Sequence, residues 1–258
     1  MYKRLHADSD TKSKIRLPSI GGANYILTAI CPETRYAFIK TITLKSNTAS
    51  EVKKLVIYIE NQFDIKVKVL FSDGGTEFIN DDIKSFCDEH GINQVYTPAN
   101  SPSLNGMVER FNRSLVTIMK NQIRTCNGNI SLWGEAVHNS IMVHNYLPKK
   151  QLNGKSPYEL VHGTKPDITK LAPFGRDVEV LLSKDKVGKL DSKSFTGTLL
   201  SYDTKRISYR ILSPTGKIIY SRDLKILNTY EQAGKLFGGT QSKNGVNGTL
   251  NTGTHNDN

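Results

Sequence analysis

The chain has 258 residues, a formal net charge of +11 and an isoelectric point near 9.4. That is long enough to bury a core without staples and leaves room for one or two domains, while the cationic surplus points to a polyanionic partner. Three cysteines, Cys31, Cys87 and Cys126, without CxxC spacing argue against a disulfide framework or a cysteine zinc site; no apolar run is long enough for a membrane span and no signal peptide opens the chain, so an intracellular, reducing setting with no membrane partner is expected.

In chain order, Tyr2 to Ser9 reads as a strand with Leu5 and Ala7 on one face and His6, Asp8 and Asp10 on the other. Tyr25 to Cys31 and Tyr36 to Leu44 form a hairpin across Pro32-Glu33-Thr34. Thr48 and Glu51 have capping-box spacing, opening a helix that runs to about Phe63. Val67 to Phe71 is a buried strand, Asp81 to His90 a helix closed by Gly91, and Ile92 to Tyr96 a fifth strand. Thr97 to Asn105 reads as a loop delivering a further helix. Three antiparallel strands followed by strand–helix alternation predict a mixed α/β sheet.

Ser131 to Leu147 is another amphipathic helix; its His138 and His144 are six apart, cannot chelate one ion from a regular helix, and read as structural. Ser156-Pro157-Tyr158-Glu159 opens a short helix with Pro at its first position. After Pro173 the texture changes to short strands, Asp177 to Leu182, Phe195 to Tyr202, Ser208 to Ile211 and Lys217 to Tyr220, which suggest a small all-β barrel or sandwich. Gly238 to Asn258, rich in Gly, Asn and Thr, reads as a flexible tail.

The chemistry-bearing stretch runs from Leu70 to Arg124. Asp73 stands at the carboxyl end of a strand, a usual ligand position in an open α/β sheet, and Glu109 follows after 35 intervening residues, near the start of a helix. The apolar stripe of that helix is Val108, Phe111, Leu115, Ile118, Met119 and Ile123. At roughly 100° per residue, Arg113, Lys120 and Arg124 fall within about 60° of Glu109. One reading is a solvated charged face with Glu109 and Arg113 as an i,i+4 pair, and Asp73 before Gly-Gly as a turn former. The other is a carboxylate metal site flanked by cations that hold a phosphate backbone.

The stretches SDGGTEF, HGINQVYTPANSPSLNGMVERFNRSL, LWGEAVHNSIMVHNYLPKK and LNGKSPYELVHGTKPD resemble the integrase of copia-type LTR retrotransposons. FGRDVEV, KLDSKSFTGTLLSYD and YRILSPTGKIIYSRDLKIL resemble the small β domain that follows it there. The resemblance covers roughly residues 5 to 228, with the motifs in the family's order. The Gly-Pro that commonly follows the family's first Asp is absent here, and this chain begins close to that Asp, without the His/Cys zinc-binding module that precedes it in family members.

The resemblance implies an α/β, RNase H-like mixed five-stranded sheet with flanking helices, followed by a small barrel-like β domain and a disordered tail. The expected divisions are residues 1–127 for the catalytic core, 128–172 for a helical extension and connector, 173–228 for the β domain and 229–258 for the tail. It implies three catalytic, metal-holding acids: Asp73, Glu109 and, from LHADSD, Asp8, with Asp10 as alternative. Two Mg2+ or Mn2+ ions would be the cofactors, since oxygen-only ligands favour those metals over zinc. Arg113, Lys120 and Arg124 would hold DNA phosphates, with Asn105 and Gly106 forming a turn that lets the helix start close to DNA. Lys184, Lys186, Lys189, Lys193, Lys205 and Arg206 of the β domain read as either a DNA-facing or a solvated surface. The implied activity is polynucleotidyl transfer: trimming of the element's DNA 3′ ends and their joining to target DNA, by a homo-oligomer acting in the nucleus or in a cytoplasmic particle. The alternatives are a catalytically silent remnant that only binds nucleic acid and, further off, a nuclease for RNA–DNA hybrids.

Overall fold

The computed structural model describes residues 2–9, 15–73, 75, 77–97, 102–171, 173–182, 192–204 and 206–227. The expected flexible tail, Asp10 and four of the β-domain cations (Lys184, Lys186, Lys189 and Lys205) lie outside the described residues.

The first half builds one sheet. Strands β1 (Tyr2–Ser9), β2 (Tyr25–Ile30) and β3 (Ala37–Ile42) run antiparallel in succession. Strands β4 (Lys66–Asp73) and β5 (Asn93–Thr97) then add parallel to β1, giving the order β3-β2-β1-β4-β5. This is the expected RNase H-like sheet. The β2–β3 link closes through Cys31 N–H to the Tyr36 carbonyl at 2.9 Å, with Arg35 at a φ of 58°.

Strand alternation sorts the side chains to two faces. Leu5, Ala7, Leu27 and Ala29 face helices α1 (Thr48–Phe63) and α2 (Asp81–His90), where Val52, Val56, Ile59, Ile83 and Phe86 complete a core. Ile26 and Ile30 face helices α3 (Pro102–Thr125) and α4 (Trp133–Tyr146). The predicted α3 stripe is the packed face: Val108, Phe111, Leu115 and Met119 are all at least nine-tenths buried. Trp133, 1 % exposed, anchors the start of α4 and donates from Nε1 to the Leu17 carbonyl at 2.9 Å.

Local expectations fared unevenly. α2 ends as predicted, with Gly91 in the left-handed region at φ 63°, where Asn80 at the other end accepts from Ile83 N–H. Helix α5 (Pro157–His162) starts on Ser156, whose hydroxyl accepts from Glu159 N–H at 3.1 Å. The Thr48/Glu51 capping box is not formed. A 3-10 turn, Lys45–Asn47, feeds straight into α1, so its carbonyls take up the first helical donors; Thr48 Oγ1 donates back to the Lys45 carbonyl, and Glu51 pairs with Lys54 at 2.7 Å. A 3-10 turn, Ile130–Leu132, likewise precedes α4.

The second sheet contains β6 (Asp177–Leu181), β7 (Ser194–Asp203), β8 (Ser208–Leu212), β9 (Ile218–Ser221) and β10 (Leu224–Ile226), all antiparallel, in the order β10-β6-β7-β8-β9. Three-residue β10 was not foreseen. A register shift between Leu199 and Ser201 inserts Leu200 as an extra residue in β7. Leu199 packs inside the sheet with Val178, Val180 and Ile211, whereas its neighbour Leu200 joins the core around α3 and α4.

The contact between α4 and the second sheet carries a charge pair. Glu135, 8 % exposed, receives two hydrogen bonds from Arg210: Nε to Oε2 at 2.7 Å, and Nη2 to Oε1. Burial disfavours the guanidinium charge, but the bonds and charge of Glu135 outweigh it and hold the Arg210 pKa above its ordinary value. Arg210→Met leaves the carboxylate buried and unpaired. A loss of about 2 kcal/mol in urea unfolding is expected, below the fully buried range because the guanidinium is partly solvated; an unchanged midpoint would show that water replaces the pair.

His144 has the structural role foreseen for it. Its Nε2 lies 3.0 Å from the Arg35 carbonyl, to which it can only donate, so Nδ1 carries the lone pair and faces Lys149 Nζ at 3.4 Å. Burial, with the Lys149 charge behind it, lowers the His144 pKa to about 4. The unfolded chain therefore binds this proton at higher pH than the folded one. The His144 contribution is complete above pH ~6.5 and is lost as pH falls towards about 4, at roughly 1.4 kcal/mol per pH unit. Comparing the pH dependence of unfolding with that of His144→Gln isolates it: the variant is expected to show a shallower decline over that window. Among the described residues, no helix is long and apolar enough to cross a membrane.

Candidate functional site

The site is built from the ends of two parallel strands. β1 and β4 pair Leu5 with Leu70, His6 with Phe71 and Ala7 with Ser72, so the next step along each strand is Asp8 and Asp73. On its outer side Asp73 pairs with Thr97 of β5; on the other, Asp8 pairs with Thr28 of β2. The side chains of Asp8 and Asp73 lie outside the described residues.

Two residues back from Asp8 and Asp73, the floor is well defined. His6 stacks on Phe71 with centroids 4.2 Å apart and planes 11° from parallel. Burial, followed by the nearby Arg4 charge, lowers the His6 pKa to about 4, so the ring is neutral at physiological pH. Behind Asp73 the chain turns tightly: Phe78 N–H donates to the Gly75 carbonyl at 2.9 Å. A Cβ on Gly75 would stand 2.7 Å from Oε2 of Glu77, whose carboxylate is buried against Lys45 Nζ at 3.2 Å, and the glycine leaves that approach open.

Helix α3 joins this corner through Thr28. Thr28 Oγ1 donates to Asn112 Oδ1 at 3.1 Å, a buried bond between the register partner of Asp8 and a residue three positions after Glu109. The backbone thus brings the strand positions of Asp8 and Asp73 side by side and sets the Glu109 turn of the helix against the strand next to them. Glu109 itself is exposed.

The outer face of α3 is cationic. Arg110, Arg113, Lys120 and Arg124 are exposed, and among the described residues neither they nor Glu109 has an ion-pair partner, so the Glu109–Arg113 pair of the solvated-face reading is not formed. From Glu109 to Arg124 the helix rises about 22 Å at 1.5 Å per residue. Arg110 was missed in the sequence because it lies about 100° round from Glu109; its guanidinium folds back to within 3.3 Å of where a Cβ at Gly106 would lie. The expected turn at Asn105 and Gly106 is corrected: α3 already starts at Pro102, which suits a first helical position, and both residues lie inside the helix. The Asn105 side chain is outside the described residues, as are those at the start of the helix.

Among the described residues no three His, Cys, Asp or Glu side chains gather as a metal cluster. The three cysteines are free thiols, and burial pushes each pKa up, which makes them poor metal ligands and nucleophiles. Of the described β-domain cations, Lys193 is exposed and Arg206 lies over the Tyr220 ring, 3.9 Å from its centroid.

A mixed β3-β2-β1-β4-β5 sheet followed by a five-stranded antiparallel sheet defines an RNase H-like unit joined to a small β unit. Residues 177–235 match the family described as "Retroviral polymerase SH3-like domain". The chain is similar to stretches of retrotransposon Pol polyproteins. It is 28 % identical over 217 residues, 84 % of its own length, to "Retrovirus-related Pol polyprotein from transposon TNT 1-94" of Nicotiana tabacum. It is 26 % identical over 208 residues, 80 % of its length, to "Retrovirus-related Pol polyprotein from transposon RE2" of Arabidopsis thaliana. To "Truncated transposon Ty1-A Gag-Pol polyprotein" of Saccharomyces cerevisiae it is 28 % identical over 165 residues, 63 % of its length. The chain spans 16 %, 14 % and 14 % of the length of these three relatives.

Proposed function

We propose that this chain is the integrase core of a copia-type retrotransposon, performing divalent-metal-dependent polynucleotidyl transfer on DNA. The observation that carries the reading is the β1–β4 register, which continues from Ala7 and Ser72 to Asp8 and Asp73 beside the strand that the Glu109 helix touches. The order of the two sheets and the similarity to Pol polyproteins support it.

Asp8, Asp73 and Glu109 would hold the metal. An all-carboxylate donor set is hard and anionic, which fits Mg2+ or Mn2+ and disfavours zinc. Such ions, when bound as a pair, supply activation of an attacking oxygen and stabilisation of the leaving oxygen in an in-line displacement at phosphorus. The protein's own contribution is orientation and charge. The neutral His6–Phe71 stack backs the carboxylate strands without adding a competing cation. Arg110, Arg113, Lys120 and Arg124 offer phosphate contacts along the helix beyond Glu109, over a length that matches roughly six base-pair steps of duplex at 3.4 Å each. By the resemblance, the attacker is water when a DNA end is trimmed and the new 3′-hydroxyl when that end is joined to target DNA. Homo-oligomer formation and action in the nucleus belong to the same proposal.

The test is strand joining, or its reversal on branched DNA, by the folded chain with Mg2+ or Mn2+, set beside Asp73→Asn. Activity that requires metal and is lost in the variant supports the proposal; a folded wild type inert with both metals overturns it. Arg113→Gln/Lys120→Gln is expected to weaken DNA binding and to flatten the slope of log affinity against log salt by about 1.8, two phosphate contacts at ~0.9 each. Salt-dependent DNA binding that is indifferent to the carboxylate changes and to added metal would favour the silent remnant instead.

A further inference from the structure

Thr28 and Asn112 form a side-chain hydrogen bond across 84 residues of sequence at the point where α3 meets the sheet. Thr28 is 1 % exposed and Asn112 9 %. On their strand, the same-face neighbours of Thr28 are Ile26 and Ile30, both in the apolar core beneath α3 and α4. A valine at 28 would keep the shape and the β propensity without desolvating a hydroxyl. The hydroxyl is matched here by Asn112, on the helical turn after Glu109.

We propose that the Thr28–Asn112 bond is a positioning contact, fixing the height and roll of the Glu109 turn over the strand ends of Asp8 and Asp73 and so setting the affinity of their site for divalent cations. The inference rests on the carboxylate site proposed above. Val108, Phe111 and Leu115 also hold this part of α3 down, through apolar contact. Apolar burial is non-directional and tolerates small slides of a helix, whereas a hydrogen bond weakens steeply with misalignment. Hard divalent ions are demanding of ligand placement, Mg2+ above all. A directional bond one turn from a ligand is therefore where placement can be controlled.

The experiment is Mn2+ binding to the full chain without DNA, followed by the electron paramagnetic resonance signal of free Mn2+. Thr28→Val and Asn112→Leu are each expected to weaken binding roughly 10- to 100-fold, as for outer partners of metal ligands in general, and Thr28→Ser to restore it. The double variant Thr28→Val/Asn112→Leu should lose less than the two single losses combined, because both remove the same bond. Circular dichroism of the metal-free proteins reads folding separately, and the Thr28→Val and Thr28→Ser pair decides the matter even if Asn112→Leu fails to fold. Binding by folded Thr28→Val within about twofold of wild type would overturn the inference, as would a Thr28→Ser as weak as Thr28→Val. Asp73→Asn and Glu109→Gln in the same assay separate the two levels. If they lose Mn2+ while Thr28→Val keeps it, only the positioning role falls; if the wild type binds none, or those two bind normally, the site itself falls and this inference with it.

Discussion

Glu109→Gln is expected to abolish metal-dependent strand joining, by about a thousandfold or more, while leaving the melting temperature unchanged. The two halves of that expectation have separate causes. Glu109 is exposed and without an ion-pair partner among the described residues, so no described ion pair is lost with its charge. Its proposed role is to bring negative charge to a metal that stabilises the transition state. Losing a contribution of about 4 kcal/mol to that stabilisation corresponds to a thousandfold in rate. The amide keeps the size and the helix propensity but not the charge. Single-turnover joining of a labelled DNA end, with thermal melting in parallel, checks both halves. Retained activity at normal stability would remove Glu109 from the chemistry.

Asn145→Ala is expected to cause the largest loss of stability, about 3 kcal/mol. β3 is an edge strand, and an edge leaves backbone groups that require partners or solvent. At Ala37, 1 % exposed, solvent is excluded and Asn145 takes the place of a further strand. Its Oδ1 accepts from Ala37 N–H at 2.9 Å and its Nδ2 donates to the Ala37 carbonyl at 2.8 Å. Alanine leaves a buried donor and a buried acceptor unpaired, each costing about 1–3 kcal/mol. In thermal unfolding this amounts to a drop of roughly 6–12 °C for a chain of this size. Hydrogen exchange at the Ala37 amide should accelerate together with it. A drop of less than a degree or two would mean that water enters and satisfies both groups.

How much of this was legible in the sequence depended on the range of the interaction. The strands through Leu5 and Val67 declare themselves by alternation, and α2 by Gly91 at its end, because those signals are local. The run Pro-Ala-Asn-Ser-Pro-Ser read as loop throughout, although α3 starts on its second proline; proline is compatible with both, and the buried stripe that decides it begins only at Val108. The ends of the acid-bearing strands were also legible, since β4 extends through polar Ser72 to Asp73 without a break in pairing. Thr28 and Asn112 were not, because nothing around either residue indicates a partner 84 positions away. Glu135 and Arg210 were hidden in the same way: a glutamate inside a helix reads as surface until the second sheet covers it.

The bulge at Leu200 has a mechanical consequence. Because that one residue is shared out to the helical core while Leu199 stays at home, the second sheet cannot swing on a linker like a tethered module. Any rotation that lifts it also withdraws Leu200, Leu212 and Ile218 from the interior around Trp133, so movement of the sheet and local melting of the helices become one event. Under the proposed role, a duplex lying against both parts would meet a fixed angle, decided when the chain folds rather than when the nucleic acid arrives.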